Sequence, residues 1–335
     1  KNLYKNILSK VYKYYMKILA VQSRMGIGDT VIFLPFIKAL SKKFNSPISI
    51  LVKENSKANQ YLHQTKYIDK ILILERDNKT NNRHGGFFGI FKLANDLKKY
   101  KFDKIFIFNS SLRFNLVAKI SGIPKIYQYP LFTKNKQHII ETPKKFLKEN
   151  LHLDINEDPE VQIDTDLISK AAQKFQIDKN TTNILLGIGG SGPTKRIPAK
   201  TFLNVIDKIS NKKKCRFFLA TGKANEEKIL LNEILNSKFK DFCVPLDEFS
   251  IKETLPIIKN CDLSICNDSS FSHLSAALDV KTITLMADTP LIYGSYNSKM
   301  FPIIPDGEKT VSHNTLGKDK INPQKIFDKI IEIIN

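Results

Sequence analysis

Asp29 closes the stretch Met25, Gly26, Ile27, Gly28, which follows an apolar run from Ile18 to Val21 and leads through Thr30 into another from Val31 to Leu40. Such a run reads as a buried strand that breaks into a glycine-bearing turn and then a helix. That places an acid at the carboxyl end of a strand, where open α/β sheets bind ligands. Asp29 can cap the helix there, or it can take a proton from a reacting hydroxyl. A second turn carries Gly187, Gly189, Gly190, Ser191 and Gly192 and ends in Lys195 and Arg196, ahead of Pro198 and a helix. Backbone amides with two cations near a helix start suit an anionic phosphate group. The plainer reading is a tight turn with two solvated cations. A third stretch ends a buried strand in Asn267, Asp268, Ser269 and Ser270, with His273 one turn into the next helix. Asp268 suits a helix cap, while the amides of Ser269 and Ser270 would form a compact nest for a diphosphate. His273 can face the same site or be structural.

These residues need elements to hold them, and the pattern supplies two similar sets. Strand-like runs at 17–21, 48–52, 70–74 and 104–108 alternate with helical stretches at 30–44 and 89–100. After a brief acidic patch the alternation resumes, with strands at 184–188, 216–220, 263–266 and 282–286 and helices at 199–209, 224–235, 251–259 and 270–278. Strands alternating with helices imply βαβ units and parallel sheets. The expected division is a first half over 16–165, a linker over 166–182 and a second half over 183–321. A final helix in 322–335 is free to cross back onto the first half. The simplest architecture is two Rossmann-like halves facing each other across a cleft, with the acid in one and the phosphate-type turns in the other.

A chain of 335 residues favours two domains, and 42% hydrophobic with 26% charged residues describes an ordinary globular protein. Lysine and arginine number 53 against 33 acids, a net +20 that favours anionic partners, although dispersed lysines also fit a compositional bias. No aromatic-basic recognition motif accompanies the charge, which argues against nucleic acid. Cys215, Cys243, Cys261 and Cys266 lack metal-type spacing and read as reduced, small apolar residues. No apolar run reaches the roughly 18 to 20 residues of a membrane span. Residues 1–15 place Leu3, Ile7, Val11 and Tyr15 at helical spacing among lysines. This basic amphipathic extension suits an anionic membrane surface, or packing on the protein's own body.

Other chemistries fail on detail. The third position of a dinucleotide fingerprint is Val31, not glycine, and Pro193 and Thr194 separate Gly192 from Lys195, so the Walker pattern fails as well. The six histidines are scattered, and no metal cluster is expected.

The three stretches together resemble glycosyltransferase family 9, the heptosyltransferases of lipopolysaccharide core assembly. Met25 to Thr30 with Leu34-Pro35 and Ala39-Leu40 looks like its N-terminal signature. Lys195-Arg196-Ile197-Pro198 is similar to its Lys-Arg-Trp-Pro segment, and Asn267 to Leu274 with Ala276-Ala277-Leu278 resembles its Asp-Thr-Gly-x-Ser-His-Leu-x-Ala-Ala-Leu motif. The match runs over about residues 16 to 290. Ile197 replaces the tryptophan, Ser269-Ser270 replaces Thr-Gly, and Ala287-Asp288-Thr289-Pro290 replaces a glycine-containing segment.

The resemblance implies a GT-B fold and inverting, metal-independent transfer of heptose from ADP-heptose to a lipopolysaccharide core or similar anionic glycolipid, with no cofactor. It implies Asp29 as the base on the acceptor side, with Gly26, Gly28 and Thr30 around it. Ser191, Lys195, Arg196, Glu226, Asp268, Ser269, Ser270 and His273 would bind the donor. It further implies a cytoplasmic enzyme, peripheral on the inner membrane if residues 1–15 touch lipid. A nucleotide-sugar epimerase of the same architecture and a non-catalytic glycan-binding relative are the competing readings.

Overall fold

Ile18–Val21 is buried at all four positions, which only a strand covered on both faces accommodates. In the computed structural model, which describes residues 16–76, 82–133, 137–178, 180–190 and 192–334, this strand (β1) is the centre of a five-stranded parallel sheet. Its neighbours are β2 (Ile48–Lys53) and β4 (Lys104–Ile107), with β3 (Ile68–Leu74) and β5 (Lys125–Gln128) at the edges, in the order β3-β2-β1-β4-β5. Helices α3 (Phe88–Lys98) and α4 (Leu112–Ile120) close one core against it. Leu93, Leu97, Phe114 and Val117 pack there with Leu19, Val21, Ile105 and Ile107.

The helix expected at 30–44 is two helices, α1 (Ile27–Ile32) and α2 (Leu34–Phe44), with Phe33 between them. Strands β5, β8 (Cys243–Pro245) and β11 (Met300–Ile303), with helices α4 and α5 (Glu141–Leu151), lie outside the elements read from the sequence. All three are edge strands with few buried positions, so they lack the continuous apolar run that marks equally short central strands such as β1.

After α6 (Thr165–Lys174), a second parallel sheet forms from β6 (Thr182–Gly187), β7 (Cys215–Ala220), β9 (Leu263–Asn267) and β10 (Thr282–Leu285) with β8 and β11, in the order β11-β10-β9-β6-β7-β8. Strand order reverses between β6 and β9, so the loops after these two strands open at the switch point. Helix α7 (Ala199–Ser210) buries Phe202, Val205, Ile206 and Ile209, an i, i+3, i+4, i+7 stripe, against this sheet. The remaining helices are α8 (Asn225–Leu235), α9 (Ile251–Lys259), α10 (Ser270–Ala277) and α11 (Pro323–Ile334). Helix α11 sets Ile326, Ile330 and Ile333 in the same core as α7; the sequence reading left it free to cross back to the first half. All four cysteines of the second unit are buried and unbridged.

Two compact units result. The first ends its opening segment at Ser23 and adds Phe36–Lys53 and Lys66–Asp154. The second takes Arg24–Pro35, Glu54–Thr65 and everything from Ile155. The expected linker at 166–182 thus begins inside α6, and the segment with Asp29 belongs with the later half, because α1 packs on α10. Among the described residues, no helix is long and apolar enough to cross a membrane. The basic extension over 1–15 lies outside the described residues.

Candidate active site

Gly26 starts the site. Its φ of 100° is a left-handed conformation open to glycine, and it turns the chain from β1 into α1. The Thr30 hydroxyl donates to the Gly26 carbonyl at 3.1 Å and closes this turn. Asp29 is then the third residue of α1, and no side chain caps that helix, so the carboxylate is left to the cavity rather than to a capping bond. Burial pushes the Asp29 carboxyl up to about 6, against the pull of Arg24 and Lys195. The Arg24 guanidinium also donates to the Tyr293 hydroxyl, whose own ionisation is held off by burial and by the Asp29 charge.

Opposite Asp29 stand the two loops of the second sheet's switch point. Asn267, at the end of β9, donates from its amide to the Ile188 carbonyl at 2.7 Å and fixes the glycine turn that follows β6. From that turn Lys195 reaches Asp268, Nζ to Oδ2 at 2.8 Å. Burial works against ionisation of Asp268, yet His273 and the Lys195 ammonium hold its carboxyl below the ordinary carboxylate range. Burial pushes His273 down to about 4, so its imidazole is neutral at physiological pH. Its Nδ1 lies 2.8 Å from the Tyr296 hydroxyl, and the two rings stack at 5.6 Å between centroids. Helix α10 opens at Ser269 with its first amides toward the same space, a favourable end for negative charge.

Asp29, Lys195, Asp268, His273, Tyr293 and the opening residues of α10 line one cavity of ≈ 790 Å³, whose walls all belong to the second unit. It takes in Gly26, Gly28, Asp29, Lys195, Asp268, Ser269, Ser270 and His273 from the sequence reading. Its size suits a drug-sized or nucleotide-sized ligand. An acid that accepts a proton and a cation beside helix amides are the parts that group transfer from a phosphorylated donor needs.

Four other expected residues stand apart. Ser191 lies outside the described residues. Thr30 is buried behind the turn. Arg196 and Glu226 do not line the cavity; they face each other beside it, Nη1 to Oε2 at 3.7 Å, with the Glu226 side chain 67% exposed. The acid that enters is Glu227, which accepts from the Gly190 amide at 2.7 Å and fits so closely that a Cβ on Gly189 or Gly222 would overlap its carboxylate. The phase of α8 carries this signal: Glu227, Leu231 and Ile234 form its buried face. Arg24, Tyr293 and Tyr296 had no motif to announce them. Among the described residues, no group of three or more His, Cys, Asp or Glu is placed to hold a metal ion.

The model of glycosyltransferase family 9 (heptosyltransferase) matches residues 90–315, the span that holds the glycine turn, Lys195, Asp268 and His273. The chain belongs to glycosyltransferase family 9. It is 31% identical to lipopolysaccharide heptosyltransferase 1 of Campylobacter coli over 159 residues, 47% of this chain and 46% of that protein, so this match spans about half of that relative's length. It is 28% identical to lipooligosaccharide heptosyltransferase 2 of Campylobacter jejuni over 312 residues, 85% of this chain and 93% of that protein. The structure of E. coli ADP-heptose LPS heptosyltransferase II matches 95% of this chain and 98% of its own with a TM-score of 0.71 at 17% identity, a likeness of fold. The family 9 chain is therefore a glycosyltransferase with the α/β, GT-B fold of two Rossmann-like units that the resemblance implied.

Proposed function

We propose that this family 9 enzyme transfers a heptose from ADP-heptose, with inversion, to a hydroxyl of a lipopolysaccharide core or similar anionic glycolipid. The observation that carries the reading is a single cavity in which Asp29, its carboxyl raised to about 6, stands with the Lys195–Asp268 pair and the opening amides of α10. Asp29 takes the proton of the acceptor hydroxyl as that oxygen attacks the anomeric carbon from the face opposite the leaving group. The bond from the anomeric carbon to the donor phosphate oxygen breaks, and the electron pair leaves with ADP. Lys195 and the α10 amides stabilise that developing charge, so the step needs no metal ion. Asp268 orients Lys195, and neutral His273 leaves the charge balance to these two. The likeness to Campylobacter heptosyltransferases supports heptose as the sugar, and the likeness to the E. coli ADP-heptose heptosyltransferase supports ADP as the nucleotide. The reaction places the enzyme on the cytoplasmic side of the inner membrane, where such an acceptor is assembled.

The test is incubation with a panel of ADP-, GDP- and UDP-sugars and lipopolysaccharide core acceptors, read by mass spectrometry. ADP-heptose is expected to give an acceptor heavier by one heptose, with loss of transfer in Asp29→Asn. Transfer from a GDP- or UDP-sugar alone overturns the donor. Release of free nucleotide without glycosylated acceptor in the presence of every acceptor overturns the transfer reading in favour of an epimerase.

A further inference from the structure

His313 lines the same cavity as Lys195 and Asp268, yet the transfer chemistry proposed above makes no use of it. It lies in the loop that runs from Pro305, after β11, to Gly317. That loop is anchored at a departure from the family pattern, the segment Ala287-Asp288-Thr289-Pro290. The Gly317 amide donates to the Ala287 carbonyl at 3.0 Å, and a Cβ on Gly317 would overlap Pro305. One residue earlier, the Leu316 amide donates to Asp288 Oδ1 at 2.9 Å. Burial disfavours the Asp288 charge, while the Leu316 amide, the Thr194 hydroxyl, the Asn314 amide and the His313 ring favour it. Asn314 and Leu316 both take left-handed backbone, with φ of 74° and 54°. Leucine rarely adopts it, so the bonds to Asp288 hold the loop in a strained shape. Thr194 directly precedes Lys195, so Asp288 ties the His313 loop to the Lys195 end of the cavity. The His313 ring is exposed there, and among the described residues no hydrogen bond ties it down.

Charge gives the ring a role. Three lysines line the cavity against four carboxylates, and the lysine at this end, Lys195, is already paired with Asp268 at 2.8 Å. That pair brings no net charge to a diphosphate. An imidazole N–H at the same end offers a charge-assisted bond to a phosphoryl oxygen, and the bound anion in turn favours the protonated ring. We propose that His313 binds the terminal phosphoryl group of a nucleoside diphosphate, alongside Lys195. The proposal rests on the reading that this cavity holds a sugar linked to a nucleoside diphosphate. In that reaction the ring N–H stabilises the phosphate oxygens as the bond to the anomeric carbon breaks and the electron pair leaves with them.

The test is calorimetric binding of ADP, GDP and UDP to the full chain, with the monophosphate of whichever nucleotide binds as the comparison. His313→Ala is expected to weaken the diphosphate about tenfold and the monophosphate less than about twofold. His313→Lys, which keeps a cation, is expected to stay within about threefold of the wild type. Lys309→Ala, on the same loop but outside the cavity lining, is expected to bind as the wild type does. If the alanine variant melts early, His313→Gln carries the test, with an expected loss of several-fold on the diphosphate alone. A His313→Ala variant that binds the diphosphate as the wild type does, or that loses both nucleotides equally, overturns the proposal and leaves the donor reading standing. An equal loss in Lys309→Ala assigns the effect to the general field of the loop and also overturns it. A wild type that binds none of the three diphosphates overturns the donor reading itself, and the role of His313 with it.

Discussion

The imidazole of His273 lies directly against Gly28: a Cβ on that glycine would stand 2.5 Å from Nε2 and 2.6 Å from Cδ2. The contact lets α1 approach α10 and sets Asp29, one residue on, beside the donor-type loops. His273 has little room to yield, because its other nitrogen is 2.8 Å from the Tyr296 hydroxyl. Gly28→Ala is therefore expected to push α1 off α10. Overpacking of this kind costs about 1–3 kcal/mol of stability. A displaced base costs roughly 10²-fold in kcat/KM. Thermal melting and steady-state kinetics measure both, and wild-type kinetics in this variant would show that the contact does not position the base.

With its carboxyl at about 6, Asp29 as the proposed base predicts a specific pH profile. The logarithm of kcat/KM should rise with unit slope below that value and level off above it, because only the ionised form accepts the proton. Asp29→Asn is expected to lose on the order of 10²–10⁴-fold and to leave a flat profile in this range. An acid limb that survives the substitution assigns the ionisation to another group.

The same raised carboxyl costs stability. In the unfolded chain Asp29 titrates near 3.8, and in the folded enzyme at about 6, so between these values the native state binds more protons. Its contribution is fully present below the lower value and is lost as pH rises through the upper one. Asp29→Asn removes the buried charge and is expected to raise stability at pH 8 by about 2 kcal/mol, allowing for partial exposure. The advantage should shrink as pH falls toward 4. Denaturant melts of both proteins across that range check the sign, and equal stability at pH 8 would contradict the burial of the charge.

The parts of this enzyme legible in its sequence are those with a local signature. Apolar runs such as Ile184–Ile188 located the central strands, glycines with flanking charge located Asp29 and Lys195, and a buried strand ending in Asn267-Asp268-Ser269-Ser270 located Asp268. Tyr293, which lines the cavity, and Tyr296, which backs His273, were not legible, because they come from a short 3-10 turn and the bend after it, with no repeating pattern. The assignment of α1 to the second unit was equally hidden. It depends on Gly28 meeting a side chain 245 positions later in the chain, a contact between sequence-distant residues that no window of residues contains. Glu226 and Glu227 could have been separated by helical phase, since Leu231 and Ile234 repeat with Glu227.

That pair gives a direct contrast. Glu227 holds the Gly190 amide at 2.7 Å and is buried between two glycine loops, whereas Glu226 is largely exposed opposite Arg196. Glu227→Ala leaves the Gly190 amide without its acceptor and a hollow between the loops, for an expected loss of about 1–3 kcal/mol. Donor KM should rise with it, since those loops line the cavity. Glu226→Ala is expected to stay within about 0.5 kcal/mol of wild type, as exposed pairs contribute little. Melting temperature and donor KM, measured side by side, test the contrast, and a larger effect at Glu226 would reverse the assignment.

Lys195 has two roles that a double substitution can separate. Its ammonium neutralises Asp268, whose side chain is 4% exposed, and in the proposed transfer it provides the cation for the leaving diphosphate. Lys195→Ala strips both away. Loss of the partner leaves a buried carboxylate unpaired, at a cost of about 2 kcal/mol given that the lysine is itself partly exposed. Loss of leaving-group stabilisation costs roughly 10²–10³-fold in kcat. Adding Asp268→Asn removes the unpaired charge, so the double variant should recover most of the stability while kcat stays low. Recovery of both would mean that the lysine acts only as a structural partner of Asp268, and recovery of neither would mean that the pair organises the fold of the loop itself.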